Sequence, residues 1–141
     1  MYNFIKKIID NYNISIDEIR MVEKEFDIIF PNNLVNFLLK YNGAEIWLCE
    51  VNKDNNKYEV AELIPVRYGR LPVEKILKWD IDDGIIEKGM IPIARDRGGN
   101  VYYLSVKTSN IVLYYVDDIE NPICISSNFD ELLENLVIKN K

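Results

Sequence analysis

Apolar side chains recur along this chain with two different periods, and the change of period separates helical ends from an extended middle. Phe4, Ile5, Ile8, Ile9 and Tyr12 follow helical spacing and predict a short amphipathic opening helix, ended by Asn11 and Asn13. Ser15-Ile16-Asp17-Glu18 is a capping box, in which the Ser15 hydroxyl accepts from an early helix N–H while Glu18 reaches back. The helix it starts runs to about Phe26, with Ile16, Ile19, Val22 and Phe26 on one side. Pro31 is placed to begin a third helix with Leu34, Val35, Leu38 and Tyr41 on its apolar face. Asn42-Gly43 is its stop, since both residues tolerate the left-handed C-terminal position.

From Ala44 the pattern changes. Residues 44–51 and 58–66 read as strands around a polar loop or hairpin end at 52–57, with Pro65 near the end of the second. An irregular stretch (67–72), a short helix (73–79) and an acidic loop or helical turn (80–89) follow. The densest apolar run is Ile91-Pro92-Ile93-Ala94, reversed by Arg95-Asp96-Arg97-Gly98-Gly99-Asn100 and resumed by Val101-Tyr102-Tyr103-Leu104. Gly98 and Gly99 permit the positive φ angles of a tight turn, so this is the expected central hairpin. Residues 111–116 and 123–126 are further strands, separated from the hairpin by a turn at Thr108-Ser109-Asn110. A closing helix begins at Asn128 as N-cap with Glu131 as its N3 partner, and Phe129, Leu132, Leu133, Leu136 and Val137 keep helical spacing. No repeat or composition shift divides the chain. The expectation is one domain over residues 1–141, of α+β class: a mainly antiparallel twisted sheet with helices from the N- and C-terminal segments packed on it.

Composition narrows the chemistry. The 141 residues carry a formal net charge of −6 and contain no histidine. That removes the commonest general base, the commonest neutral metal ligand and every Ser-His or Cys-His dyad. An acidic surface repels nucleic acid and anionic membranes and favours basic partners. No segment reaches the roughly 20 apolar residues that a membrane helix needs, and the N-terminus lacks a signal-peptide pattern, so a cytoplasmic location is expected. Cys49 and Cys124 then read as buried, reduced thiols. No cofactor and no metal are expected. A calcium loop starting at Asp80 fails, because Gly84, Ile85 and Ile91 stand where an oxygen ligand, glycine and glutamate are required.

Three groups of residues remain as candidates. Asp82, Asp83 and Glu87, joined by Asp117, Asp118 and Glu120, are either a solvated acidic surface or a patch that mimics nucleic-acid phosphates toward a basic cleft. Asp96 either starts the hairpin turn by bonding its own backbone or, with Asn100, holds a partner's charged groups. Tyr102 and Tyr103, like Tyr114 and Tyr115, point to opposite faces of their strands, so Tyr102 and Tyr114 are candidate interface rings if helices cover only one face. Trp47 is expected in the core.

In their order, these blocks resemble the SUKH superfamily, named partly for the yeast Smi/Knr cell-wall regulator. The resemblance rests on Ile16-Asp17-Glu18-Ile19, Pro31 and Tyr41-Asn42-Gly43, then on Ile91 to Leu104 with Pro92, Asp96, Gly98 and Gly99, then on the Phe129 to Leu133 helix. It spans about Ile16 to Ile138. Many members have leucine where this chain has Phe30, and an acidic residue where it has Asn100. The resemblance implies a non-enzymatic protein-binding domain. Bacterial members are commonly immunity proteins that block a toxin domain, often a nuclease or deaminase, of a contact-dependent or polymorphic toxin system; eukaryotic members are regulatory scaffolds. The leading expectation is a cytosolic immunity protein occluding a basic toxin domain, with no nucleic acid or membrane partner. The alternative is a regulatory scaffold for an endogenous protein. An enzyme using Asp82, Asp83 or Asp96 ranks last.

Overall fold

A computed structural model describes residues 2–139. In chain order it contains β1 (Ile5–Lys7), a 3-10 turn (Asp10–Tyr12), α1 (Ile16–Phe26), α2 (Asn32–Tyr41), β2 (Glu45–Ile46), β3 (Cys49–Lys53), β4 (Asn56–Val60) and β5 (Glu62–Leu63). Then follow α3 (Val73–Asp83), β6 (Met90–Arg95), β7 (Val101–Ser105), β8 (Ile111–Tyr115), β9 (Asp118–Ser126), α4 (Phe129–Asn135) and β10 (Val137–Ile138). The class is α+β, and every strand pairing is antiparallel.

The main sheet has the order β5-β6-β7-β8-β9, so the expected hairpin β6–β7 is its centre. A second sheet, β10-β3-β4, and the pair β1-β2 complete the strands. One contiguous apolar cluster fills the interior. One face of the main sheet, with Ile91, Leu104, Ile111 and Leu113, is buried in it together with Phe30, Leu34 and Leu38 of the α2 region and Phe129, Leu132 and Leu133 of α4. The opposite face is covered in part by α3, so helices lie on both sides rather than one.

Local signals were read closely by the chain. The capping box forms: Ser15 Oγ accepts from Glu18 N at 3.2 Å and Glu18 Oε1 accepts from Ser15 N at 3.1 Å. Asn128 caps α4 by accepting from Glu131 N at 2.8 Å, although the Glu131 carboxylate turns to Ser127 instead of closing a box. At the hairpin only Gly99 has a positive φ, +85°; Gly98 does not need its glycine for that reason.

Several expectations are corrected. The opening segment is not a helix: Ile5–Lys7 pairs with Glu45–Ile46, and only Asp10–Tyr12 turns helically. The strand expected over 44–51 is split into β2 and β3. Trp47, between them, is 47% exposed under the Lys6 ammonium, 4.8 Å from its ring, and is not core. The short helix expected over 73–79 continues to Asp83 and stops at Gly84 with φ +68°. β9 begins at Asp118 and is longer than the segment 123–126. α4 ends at Asn135, so Val137 belongs to β10. Cys49 is buried, its thiol pushed up to about 11 by burial, but Cys124 on β9 is exposed.

Asn42 does more than stop α2. Its φ is −52°, and the left-handed residue is Gly43 at +63°. A Cβ on Gly43 would lie 2.7 Å from Pro65 and 2.8 Å from Tyr12, so chain reversal and close packing both demand glycine here. The Asn42 carboxamide, 5% exposed, accepts from Val66 N at 2.8 Å and donates to Val66 O at 3.0 Å and Tyr12 O at 2.8 Å. It thereby supplies a strand-like bond pair to buried backbone that no strand satisfies.

Glu59 joins the two larger sheets. It accepts from Arg97 N, Nε and Nη2 at 3.0, 2.9 and 2.7 Å, and from Lys139 Nζ at 3.4 Å. These bonds, led by the Arg97 side chain, hold its carboxyl down at about 2. A carboxyl depressed in the folded state stabilises above its unfolded value of 4.5 and loses that contribution as pH falls toward 2. Glu59→Gln is therefore expected to be less stable than the parent at pH 7, with the difference closing between about pH 4.5 and 2; urea titrations across that window measure it.

Candidate functional site

A groove of about 260 Å³ lies between α3 and the face of the main sheet turned away from the core. Its helical wall carries Trp79, Asp80 and Asp83; its sheet wall carries Val101, Tyr103 and Tyr114; the β6–β7 and β8–β9 turns close one end through Gly99 and Val116. Local sequence explains each placement. Val73, Ile76, Leu77 and Asp80 fall at i, i+3, i+4 and i+7, so one stripe faces the sheet and Asp80 occupies a position that periodicity would give to an apolar residue. Trp79, one residue earlier, stands at the margin and is 50% exposed. On the sheet, Val101 is paired with Tyr114 and Tyr103 with Val112, which brings Tyr103 and Tyr114 onto the same face, with rings edge to face at 5.4 Å.

Asp80 is the electrostatic centre. Its carboxylate is half-buried and accepts from Tyr103 Oη at 2.8 Å, a neutral donor. Burial, with some help from Asp83, raises the carboxyl to about 6 against the Tyr103 bond, which lowers it. The same carboxylate helps to push the Tyr103 phenol far up, after burial, and Tyr114 is raised by burial and then by Glu87 and Asp80. Glu87 and Asp80 thus both act on Tyr114. Among the described residues, none of Asp80, Asp82, Asp83, Glu87, Asp117 or Asp118 is in an ion pair. On neighbouring segments Arg95 is paired with Glu62, Lys88 with Asp27 and Arg97 with Glu59, while Lys75 and Lys78 of α3 are exposed and in no ion pair among the described residues.

The predicted residues divide accordingly. Asp83 and Tyr114 line the groove, and Glu87 lies beside it on a neighbouring cleft that also contains Asp80 and Ile81. Asp82 is exposed on α3. Asp117 sits in the β8–β9 turn and Asp118 is the first residue of β9, between Val116 and Ile119, which line the groove. Tyr102 is a correction: it is 0% exposed on the opposite face, donating to Glu59 O at 2.6 Å, and offers no surface to a partner. Asp96 and Asn100 are turned inward. Asp96 accepts from Asn100 N at 2.9 Å and Nδ2 at 2.8 Å, and Asn100 Oδ1 accepts from Val116 N at 2.9 Å. They tie the two turns together at the groove's end instead of presenting polar atoms outward.

Asp80 and Trp79 were missing from the expected site. The signal for Asp80 was its phase: extending the 73–79 helix by one residue puts a carboxylate on the buried stripe. Val116 in the groove and Ile81 in the neighbouring cleft are apolar side chains that are each more than half exposed. Exposed apolar and aromatic side chains gathered on one surface are a common mark of protein-binding sites. Among the described residues no group of three or more Asp, Glu or Cys is arranged to hold a metal ion, and no helix is long and apolar enough to cross a membrane.

No curated protein matches the sequence. A model of the SMI1 / KNR4 family (SUKH-1) matches residues 13–135, a span that contains α1, the central hairpin and α4. With most of its length inside that match, the chain belongs to the SMI1/KNR4 (SUKH-1) family.

Proposed function

We propose that this chain is an immunity protein that binds a basic toxin domain through the α3–sheet groove and covers the toxin's active cleft. The observation that carries the reading is the groove itself: aromatic and acidic, with exposed apolar side chains beside it and carboxylates that are in no ion pair among the described residues. A family of protein-binding regulators and immunity proteins provides the context for it. Inhibition is steric and electrostatic. Asp83, Glu87, Asp117 and Asp118 steer a basic surface to the groove, and Trp79, Tyr114 and Ile81 provide the apolar contact.

The test is co-expression with the polypeptide encoded beside this gene. Expected is restored growth of cells making that polypeptide, a stable complex on size-exclusion chromatography, and a fall in association rate of at least tenfold for Asp83→Lys/Glu87→Lys, steepest at low salt. Absence of both rescue and complex overturns the reading. A complex with a housekeeping protein, but none with the neighbouring product, would instead favour the regulatory-scaffold alternative.

A further inference from the structure

The groove has a recognisable chemical appetite. Its innermost carboxylate, Asp80, is half-buried against Tyr103 and receives one hydrogen bond among the described residues, from a neutral hydroxyl. A carboxylate withdrawn from water is unfavourable unless a positive donor meets it. Asp83 adds a second negative charge in the same groove, and Glu87 acts on Tyr114 from beside it. Arg95 also lines the groove, but its guanidinium is paired with Glu62. The walls are aromatic: the Trp79 ring at the margin and Tyr114 on the sheet.

We infer that the groove receives an arginine side chain of the protein partner, with its guanidinium on the Asp80 and Asp83 carboxylates and its plane against Trp79 and Tyr114. This rests on the reading of the groove as the partner-binding surface and names the group that enters it. Arginine fits better than lysine for two reasons. A planar fork of N–H donors serves two carboxylates at once, and a weakly hydrated flat cation stacks on aromatic rings. A purely apolar occupant would seal Asp80 from water without a counter-charge. A metal ion would need more ligands than the groove assembles.

The experiment uses the isolated full-length chain labelled with nitrogen-15, titrated with N-acetyl-arginine amide, its citrulline analogue and N-acetyl-lysine amide. The two tryptophans, Trp47 and Trp79, give separate indole signals, and only Trp79 lies in the groove. Expected is a saturable shift of the Trp79 indole resonance with the arginine probe, with a dissociation constant on the order of 1–10 mM for so small a ligand. Trp47 should stay still. The neutral citrulline analogue should leave Trp79 unmoved, and lysine should bind several-fold more weakly. Asp80→Asn should abolish the arginine response; an unchanged Trp47 signal and a cooperative melt then show that the variant is folded. An unmoved Trp79, an equal response to citrulline, equal binding of lysine, or a full response in Asp80→Asn each overturn the inference. The two readings fail separately: toxin neutralisation without an arginine response removes only this one, and an arginine response without any neutralised partner removes only the proposed function.

Discussion

Asn42→Ala is expected to destabilise the folded chain by about 3 kcal/mol. The reason is the number of groups it orphans. Val66 is fully buried and its N–H is bonded only to the Asn42 carboxamide, so it loses its acceptor; Tyr12 O loses its donor as well, while Val66 O keeps the Tyr68 N–H at 2.8 Å. Each buried polar group left without a partner costs about 1–3 kcal/mol, and alanine replaces none of the bonds. For a chain of this length the expected fall in Tm is about 10 °C. Urea or thermal denaturation measures it. A loss below about 1 kcal/mol would mean that water enters and takes over the carboxamide's role.

Asp80→Asn is expected to act in the opposite direction on stability while removing charge from the groove. A carboxyl raised from 3.8 to about 6 by burial binds its proton more tightly in the folded than in the unfolded chain. Folding stability therefore falls as pH rises from about 3.8 through 6, and the cost is fully present at pH 7. Asparagine keeps an acceptor for Tyr103 Oη and removes the charge. The variant should be more stable at pH 7 by about 1 kcal/mol, after allowance for the solvent that still reaches the carboxylate, and should lose that advantage as pH drops toward 4. A stability gain at pH 7 would mark Asp80 as a residue kept at the expense of folding, as binding groups often are. An Asp80→Asn chain that is less stable at pH 7 would show that the carboxylate is part of the scaffold.

Much of this fold was readable because its determinants are local. The Ser15–Glu18 box, the Asn128 cap and the Gly99 turn are decided by residues within a few positions of one another, and each forms as its spacing demands. The opening segment was not readable for the converse reason. Phe4, Ile5, Ile8, Ile9 and Tyr12 fit a helix, but Ile5–Lys7 is held by pairing with Glu45–Ile46, about forty residues away, and tertiary context overrides a nine-residue pattern. The site was half legible. Acidic residues near α3 and the β8–β9 turn stand out in the sequence, but which carboxylate faces the sheet depends on where the helix ends. Stopping it at Trp79 hid Asp80. Tyr102 and Tyr114 look alike in the chain; strand register, which places them on opposite faces, is a property of the pairing and not of either strand alone.

The order of strands also bears on how the molecule assembles. In the main sheet each strand neighbours the next in sequence from β5 to β9; the pairings from β6 to β9 close short loops, while β5–β6 spans residues 64–89 with α3 between. β3 is different: one neighbour, β4, follows it directly, while the other, β10, arrives from the far end of the chain. That seam closes a large loop for only two residue pairs, so it is the natural late event in folding and the first to open under strain, a zip fastened once the meander is already built.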